Sequence, residues 1–149
     1  MRIKEETLVS AKSLLEGESN RIANMANLSA LIMEAAGWHW VGFYTVDKEA
    51  DELVLGPFQG PVACTRLRRG KGVCAQSWET NNTVVVDNVH DFEGHVACSS
   101  FSNSEVVIPV RYNGEVVAVL DIDSVEYADF SADEVEILES LVQTLESQW

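Results

Sequence analysis

At 149 residues with 46% apolar side chains, the chain is sized for one domain with its own core and is too apolar to be disordered. Its 24 acidic and 10 basic residues leave a formal charge of −14, which repels phosphate backbones and anionic bilayers and so argues against nucleic-acid and membrane-surface roles. The opening MRIKEETLVSAKSLL lacks a signal-peptide-type apolar run, and stretches such as 116–120 are far too short to span a bilayer, so a soluble, cytoplasmic protein is expected.

Apolar residues at helical spacing predict helices over 5–16 and 21–36, the second ended by Gly37. The aromatic and β-branched run WHWVGFYTV predicts a strand over 38–46, followed by a turn at 48–51 and a second strand over 52–55. Residues 56–72 hold four glycines and two prolines and read as a loop. A short helix over 73–79 and a buried strand over 83–86 lead into a second long loop, 87–103, which carries His90, His95 and Cys98. Long loops with little structure of their own are uncommon in compact domains and usually functional, and each of these two contains cysteine.

The segment VVIPVRY-NG-EVVAVLDID is a hairpin with a two-residue turn at Asn113-Gly114. Pro109 cannot donate to a ladder, so an edge position or a bulge is expected there. Next, Phe130-Ser131-Ala132-Asp133-Glu134-Val135 combines a capping serine, a glutamate three residues on and a hydrophobic staple. The closing helix runs from there to Trp149, with Val135, Leu138, Leu141, Val142 and Leu145 facing a sheet. Helices, strands with one crossover helix, a hairpin and a last helix indicate an α+β fold around an antiparallel sheet.

Phosphate-binding glycine loops, GxSxG, HExxH and CxxC are all absent, which removes several nucleotide, hydrolase, zinc and thioredoxin-type readings. Three cysteines, at 64, 74 and 98, are too few and too scattered for a secreted disulfide framework. An isolated cysteine is ordinarily a small buried apolar residue.

Several segments together resemble the free methionine-(R)-sulfoxide reductase family: WVGFY at 40–44, LGPFQGPVACTR at 55–66, GKGVC at 70–74, GHVAC at 94–98, SNSE at 102–105 and VLDIDS at 119–124. Ala75 stands where the family pattern has glycine. The resemblance covers essentially the whole chain and implies a single GAF domain over 1–149, with about six antiparallel strands flanked by helices. It implies Cys98 as nucleophile, Cys64 as the main resolving thiol and Cys74 as a further exchanging thiol. Free methionine-(R)-sulfoxide is the implied substrate and thioredoxin the implied external reductant. No bound cofactor or metal is implied, and a homodimer is.

The same resemblance makes Glu105, Asp121 and Asp123 substrate ligands, with Trp40 as an apolar wall for the methyl end. Asp121 and Asp123 are two apart on one strand and share a face, suited to holding an amino acid's ammonium group. Crowded carboxyls raise one another's pKa, so one of the three can carry the proton that the departing sulfoxide oxygen needs. The hairpin register opposes this grouping. With Tyr112 opposite Glu115, a regular ladder pairs Ile122 with Glu105 and turns Glu105 away from the aspartates, so an extra residue is required, placed at Pro109, or a strand that ends before Glu105. His95 and Arg66 are candidates to favour the Cys98 thiolate. Two other readings use the same residues: a ligand-sensing GAF module without catalysis, and a structural zinc site of Cys64, Cys74, His95 and Cys98.

Overall fold

The computed structural model describes residues 1–96, 98 and 101–149. Helices α1 (Glu5–Leu15) and α2 (Arg21–Ala36) come first, and α2 is capped at its start by the Asn20 side chain and stopped by Gly37 in the left-handed region. The strands are β1 (Trp40–Asp47), β2 (Glu52–Gln59), β3 (Arg66–Arg68), β4 (Val84–Val86), β5 (Ser104–Tyr112) and β6 (Glu115–Ser124), with α3 (Val73–Thr80) between β3 and β4. Helix α4 (Ala132–Ser147) closes the chain behind the expected capping box of Ser131 and Glu134. The six strands form one antiparallel sheet in the order β3-β2-β1-β6-β5-β4.

Alternation along the strands divides the sheet into two faces. Val41, Phe43, Val106, Ile108, Leu120 and Ile122 meet α1, α2 and α4 in the larger core. Trp40, Tyr44, Val107 and Val119 face the other way and pack with Val73, Cys74 and Trp78 of α3.

Four expectations shift in detail. The first strand begins at Trp40 rather than residue 38, because Trp38 is buried in the helix-side core and bonded through its indole N–H to Asp129. β2 continues through Gly56 and Pro57 to Gln59, absorbing them where Gly42 pairs with Phe58 but Tyr44 pairs with Leu55. Part of the first long loop pairs with β2 as β3, a strand that its glycine and proline surroundings concealed. The extra hairpin residue is Val117 of β6, not a residue at Pro109: Arg111 pairs with Val116 and Val110 with Ala118. Pro109 is tolerated as an edge residue, since β4 pairs only with Glu105, Val106 and Val107.

Candidate active site

The displaced register at Val117 assembles the site. Beyond it, Glu105 pairs with Asp123 and Val107 with Asp121, while on the other side of β6 Trp40 pairs with Asp123 and Gly42 with Asp121. Directly opposed residues of antiparallel strands project to the same face. Trp40, Asp123 and Glu105 therefore form one row across three strands, with Asp121 and Tyr44 on the same face. A Cβ on Gly42 would come within 2.7 Å of the Trp40 ring and 2.3 Å of Phe58 Cβ, so only glycine leaves the Trp40 ring its place. Trp40 lies flat against Phe58, with centroids 5.2 Å apart, and its indole N–H donates to the Pro61 carbonyl at 3.0 Å.

Both long loops and the start of α3 close over this face. The cavity between them is lined by Trp40, Tyr44, Cys74, Cys98, Glu105, Asp121 and Asp123, with Lys71, His95 and Ser102 among the other walls. Cys98 is bonded to Cys64 in a disulfide whose Cα atoms are 5.5 Å apart. Thus six of the seven residues singled out in the sequence border one cavity, and the seventh, Cys64, is covalently tied to it. Cys74 is a free, buried thiol. The phenol of Tyr44 donates to the Cys64 carbonyl at 2.8 Å, anchoring the disulfide's strand-side arm. Tyr44 was not singled out in the sequence, although it lies four residues after Trp40 on a strand and so shares its face.

The electrostatics are one-sided. Glu105 and Asp121 are each 6% exposed and Asp123 is partly buried. Burial, followed by the charges of Asp121 and Asp123, holds the Glu105 carboxyl well above the usual range. Burial and then Asp121 do the same to Asp123. Asp121 is raised by burial as well, but hydrogen bonds from Glu105 and Cys74 favour its charged form, so it ionises more readily than its neighbours. The Cys74 thiol is pushed up by burial and then by Asp121, which keeps it protonated. His95 Nε2 is 4.0 Å from Glu105 Oε1, and burial and then His90 lower its pKa, so it offers little positive charge at neutral pH.

Arg66 does not serve the thiols. Its guanidinium binds Asp47 at 2.7 Å and reaches Glu52 at 3.5 Å, which turns it away from Cys64 along the outer strands. The Cys₃His zinc set is likewise not assembled, because Cys64 and Cys98 are bonded to each other. The donor atoms that do converge among the described residues belong to Cys74, Glu105 and Asp121, within 4.8 Å of one another. The arrangement can hold a small cation, keep protons on buried carboxyls, and exchange a disulfide beside them.

Comparison with known proteins agrees with this geometry. The GAF domain family matches residues 9–147. The chain is 46% identical over 143 residues to GAF domain-containing protein A of Dictyostelium discoideum, covering 96% of this chain and 90% of that protein. It is 42% identical over 135 residues to the free methionine-R-sulfoxide reductase of Escherichia coli strain K12, covering 90% of this chain and 81% of that one. The X-ray structure of free methionine-R-sulfoxide reductase from Neisseria meningitidis in complex with its substrate superposes with a TM-score of 0.94 at 47% identity, covering 96% of this chain and 86% of that chain.

Proposed function

This chain belongs to the GAF-domain family of free methionine-R-sulfoxide reductases, and we propose that it reduces free L-methionine-(R)-sulfoxide to methionine in the cavity over β1, β6 and β5. One observation carries the reading: the Cys64–Cys98 disulfide borders the same cavity as Glu105, Asp121 and Asp123. A redox-active sulfur and a cluster of acids suited to an ammonium group thereby share one small space.

In the proposed cycle the Cys98 thiolate attacks the sulfoxide sulfur. Oxygen passes to Cys98 Sγ, methionine leaves reduced by two electrons, and Cys98 is left as a sulfenic acid. The Cys64 thiolate then attacks that sulfur, the hydroxyl departs as water, and the Cys64–Cys98 bond is formed. An external dithiol, thioredoxin in this reading, restores both thiols and is itself oxidised to a disulfide. Cys74, held as a thiol by burial and Asp121, is the second possible partner for Cys98.

The carboxyls have two tasks. Asp121, the readiest of the three to ionise, faces the substrate's ammonium, while Glu105 or Asp123, kept protonated by burial and neighbouring charge, supplies a proton to the sulfoxide oxygen. A peptide-bound methionine lacks the ammonium and gains nothing from the acids. Trp40, flat against Phe58, offers its ring to the methyl end. Action in the reducing cytoplasm, as a homodimer and without a bound cofactor, completes the proposal. Among the described residues no helix is long and apolar enough to cross a membrane.

The test is a coupled assay on the two sulfoxide epimers, with dithiothreitol or thioredoxin as reductant. The R epimer alone is expected to turn over, and Cys98→Ser is expected to abolish the reaction. Equal use of both epimers, or an active Cys98→Ser protein, contradicts the assignment.

A further inference from the structure

Two side-chain donors on the cavity wall have no partner among the described residues. Ser102 is 5% exposed, and its buried Oγ meets no hydrogen-bond partner among the described residues. Lys71 is exposed, lines the same cavity and makes no ion pair among the described residues. Two other side-chain donors on the wall are already engaged, the Trp40 indole with the Pro61 carbonyl and the Tyr44 phenol with the Cys64 carbonyl. A buried hydroxyl on a cavity wall gains a hydrogen bond when an acceptor enters the space beside it.

The ligand of the proposed reaction carries three polar groups. Its ammonium is drawn to Glu105, Asp121 and Asp123, and its sulfoxide oxygen takes a proton from one of those acids. Its carboxylate is repelled by the same acids and requires donors that the protein has not already used. Ser102 and Lys71 are such donors, one neutral and buried, one charged and exposed. We propose that the Ser102 hydroxyl donates a hydrogen bond to the α-carboxylate of the bound amino acid, with Lys71 supplying the facing positive charge. This assignment rests on the reductase reading for the identity of the ligand. It makes Ser102 a second determinant of selectivity, because a methionine within a peptide carries an amide where the free amino acid carries a charged carboxylate.

Ser102→Ala separates this role from a structural one. Kinetics with dithiothreitol on free methionine-(R)-sulfoxide should give a KM raised roughly tenfold or more with kcat little changed, the loss of one hydrogen bond to a charged group that ground and transition states share. On methioninamide-(R)-sulfoxide the same variant should lose several-fold less. Thermal unfolding should be unchanged or shifted upward, since alanine removes an unpaired buried hydroxyl. Lys71→Met should raise KM for the free acid by a smaller factor that shrinks with added salt. An unchanged KM in Ser102→Ala, an equal loss on acid and amide, or a lowered Tm each overturns the proposal. If the native protein reduces neither compound, methionine binding by calorimetry carries the test. Weaker methionine binding in Ser102→Ala then sustains the carboxylate contact while the reductase reading fails, and equal binding overturns the contact.

Discussion

On the helix-covered face of the sheet, β1, β6 and β5 contribute Val41, Phe43, Leu120, Ile122, Val106 and Ile108, none more than 2% exposed. On the opposite face, alternate residues of the same strands contribute Trp40, Tyr44, Asp121, Asp123 and Glu105. The first set is apolar throughout and contributes stability by removing surface from water. The second buries three carboxyls against one another, with His95 4.0 Å from Glu105 and Lys71 exposed at the cavity wall, and burial pushes each carboxyl toward its neutral form. The difference shows where the protein accepts an energetic cost. A face that merely packed would carry no ionisable groups, whereas this one keeps protons and an unsatisfied Asp121 oxygen facing a cavity beside a disulfide.

Substitutions on the two faces should therefore act with opposite sign. The largest effect is expected from Leu120→Ala on the dry face. Leu120 is fully buried, and truncation should remove about 2–5 kcal/mol of stability through lost burial and a residual cavity. Urea unfolding measures this, and a loss below about 1 kcal/mol would mean that the helices do not pack as described.

Glu105→Gln, on the other face, is expected to lower activity by roughly an order of magnitude or more while leaving stability at neutral pH equal or higher. The pH dependence gives the sign directly. A carboxyl whose folded pKa lies above its unfolded value of about 4.3 contributes stability that is present at acid pH and is lost as pH rises through the folded pKa. In the native protein Glu105 and Asp123 should act this way, and Glu105→Gln should flatten that part of the profile. Glu134 is the internal contrast. Burial raises its pKa, but backbone donors from Arg2 and Ser131, the Ser131 hydroxyl and the Ile3 N–H outweigh this and lower it. Its contribution is present above the unfolded value and is lost as pH falls through the folded one. Unfolding curves across the acid range, compared between the native protein and Glu105→Gln, sharpen the comparison; identical pH profiles would break it.

The contrast also explains what the sequence made legible. Helix limits, the Asn113-Gly114 turn and the Ser131–Glu134 box are local signals, decided within four or five residues; the turn and the box appear as expected, and the helix ends fall within two residues of expectation. Strand β3 and the second half of β2 were hidden because Gly56, Pro57 and Gly60 mark loops in isolation, while here pairing across the sheet absorbs them. The acid row was half legible. Asp121 and Asp123 share a face by spacing alone, but Glu105 joins them only through one extra residue, and the need for that residue could be counted although its location could not. Proline drew attention to position 109, yet the bulge falls at Val117, a β-branched residue with no local signal. Ser102 opens the SNSE segment, but its unpaired hydroxyl is a property of the folded cavity alone.

The most direct measurement is a single turnover without reductant. Fully reduced protein is mixed with free methionine-(R)-sulfoxide, released methionine is quantified, and the thiols are mapped by mass spectrometry. One methionine per chain, together with one new Cys64–Cys98 bond and an intact Cys74 thiol, is the expected result. Unchanged sulfoxide with all three thiols still reduced would contradict the account and leave the cavity a binding site without chemistry.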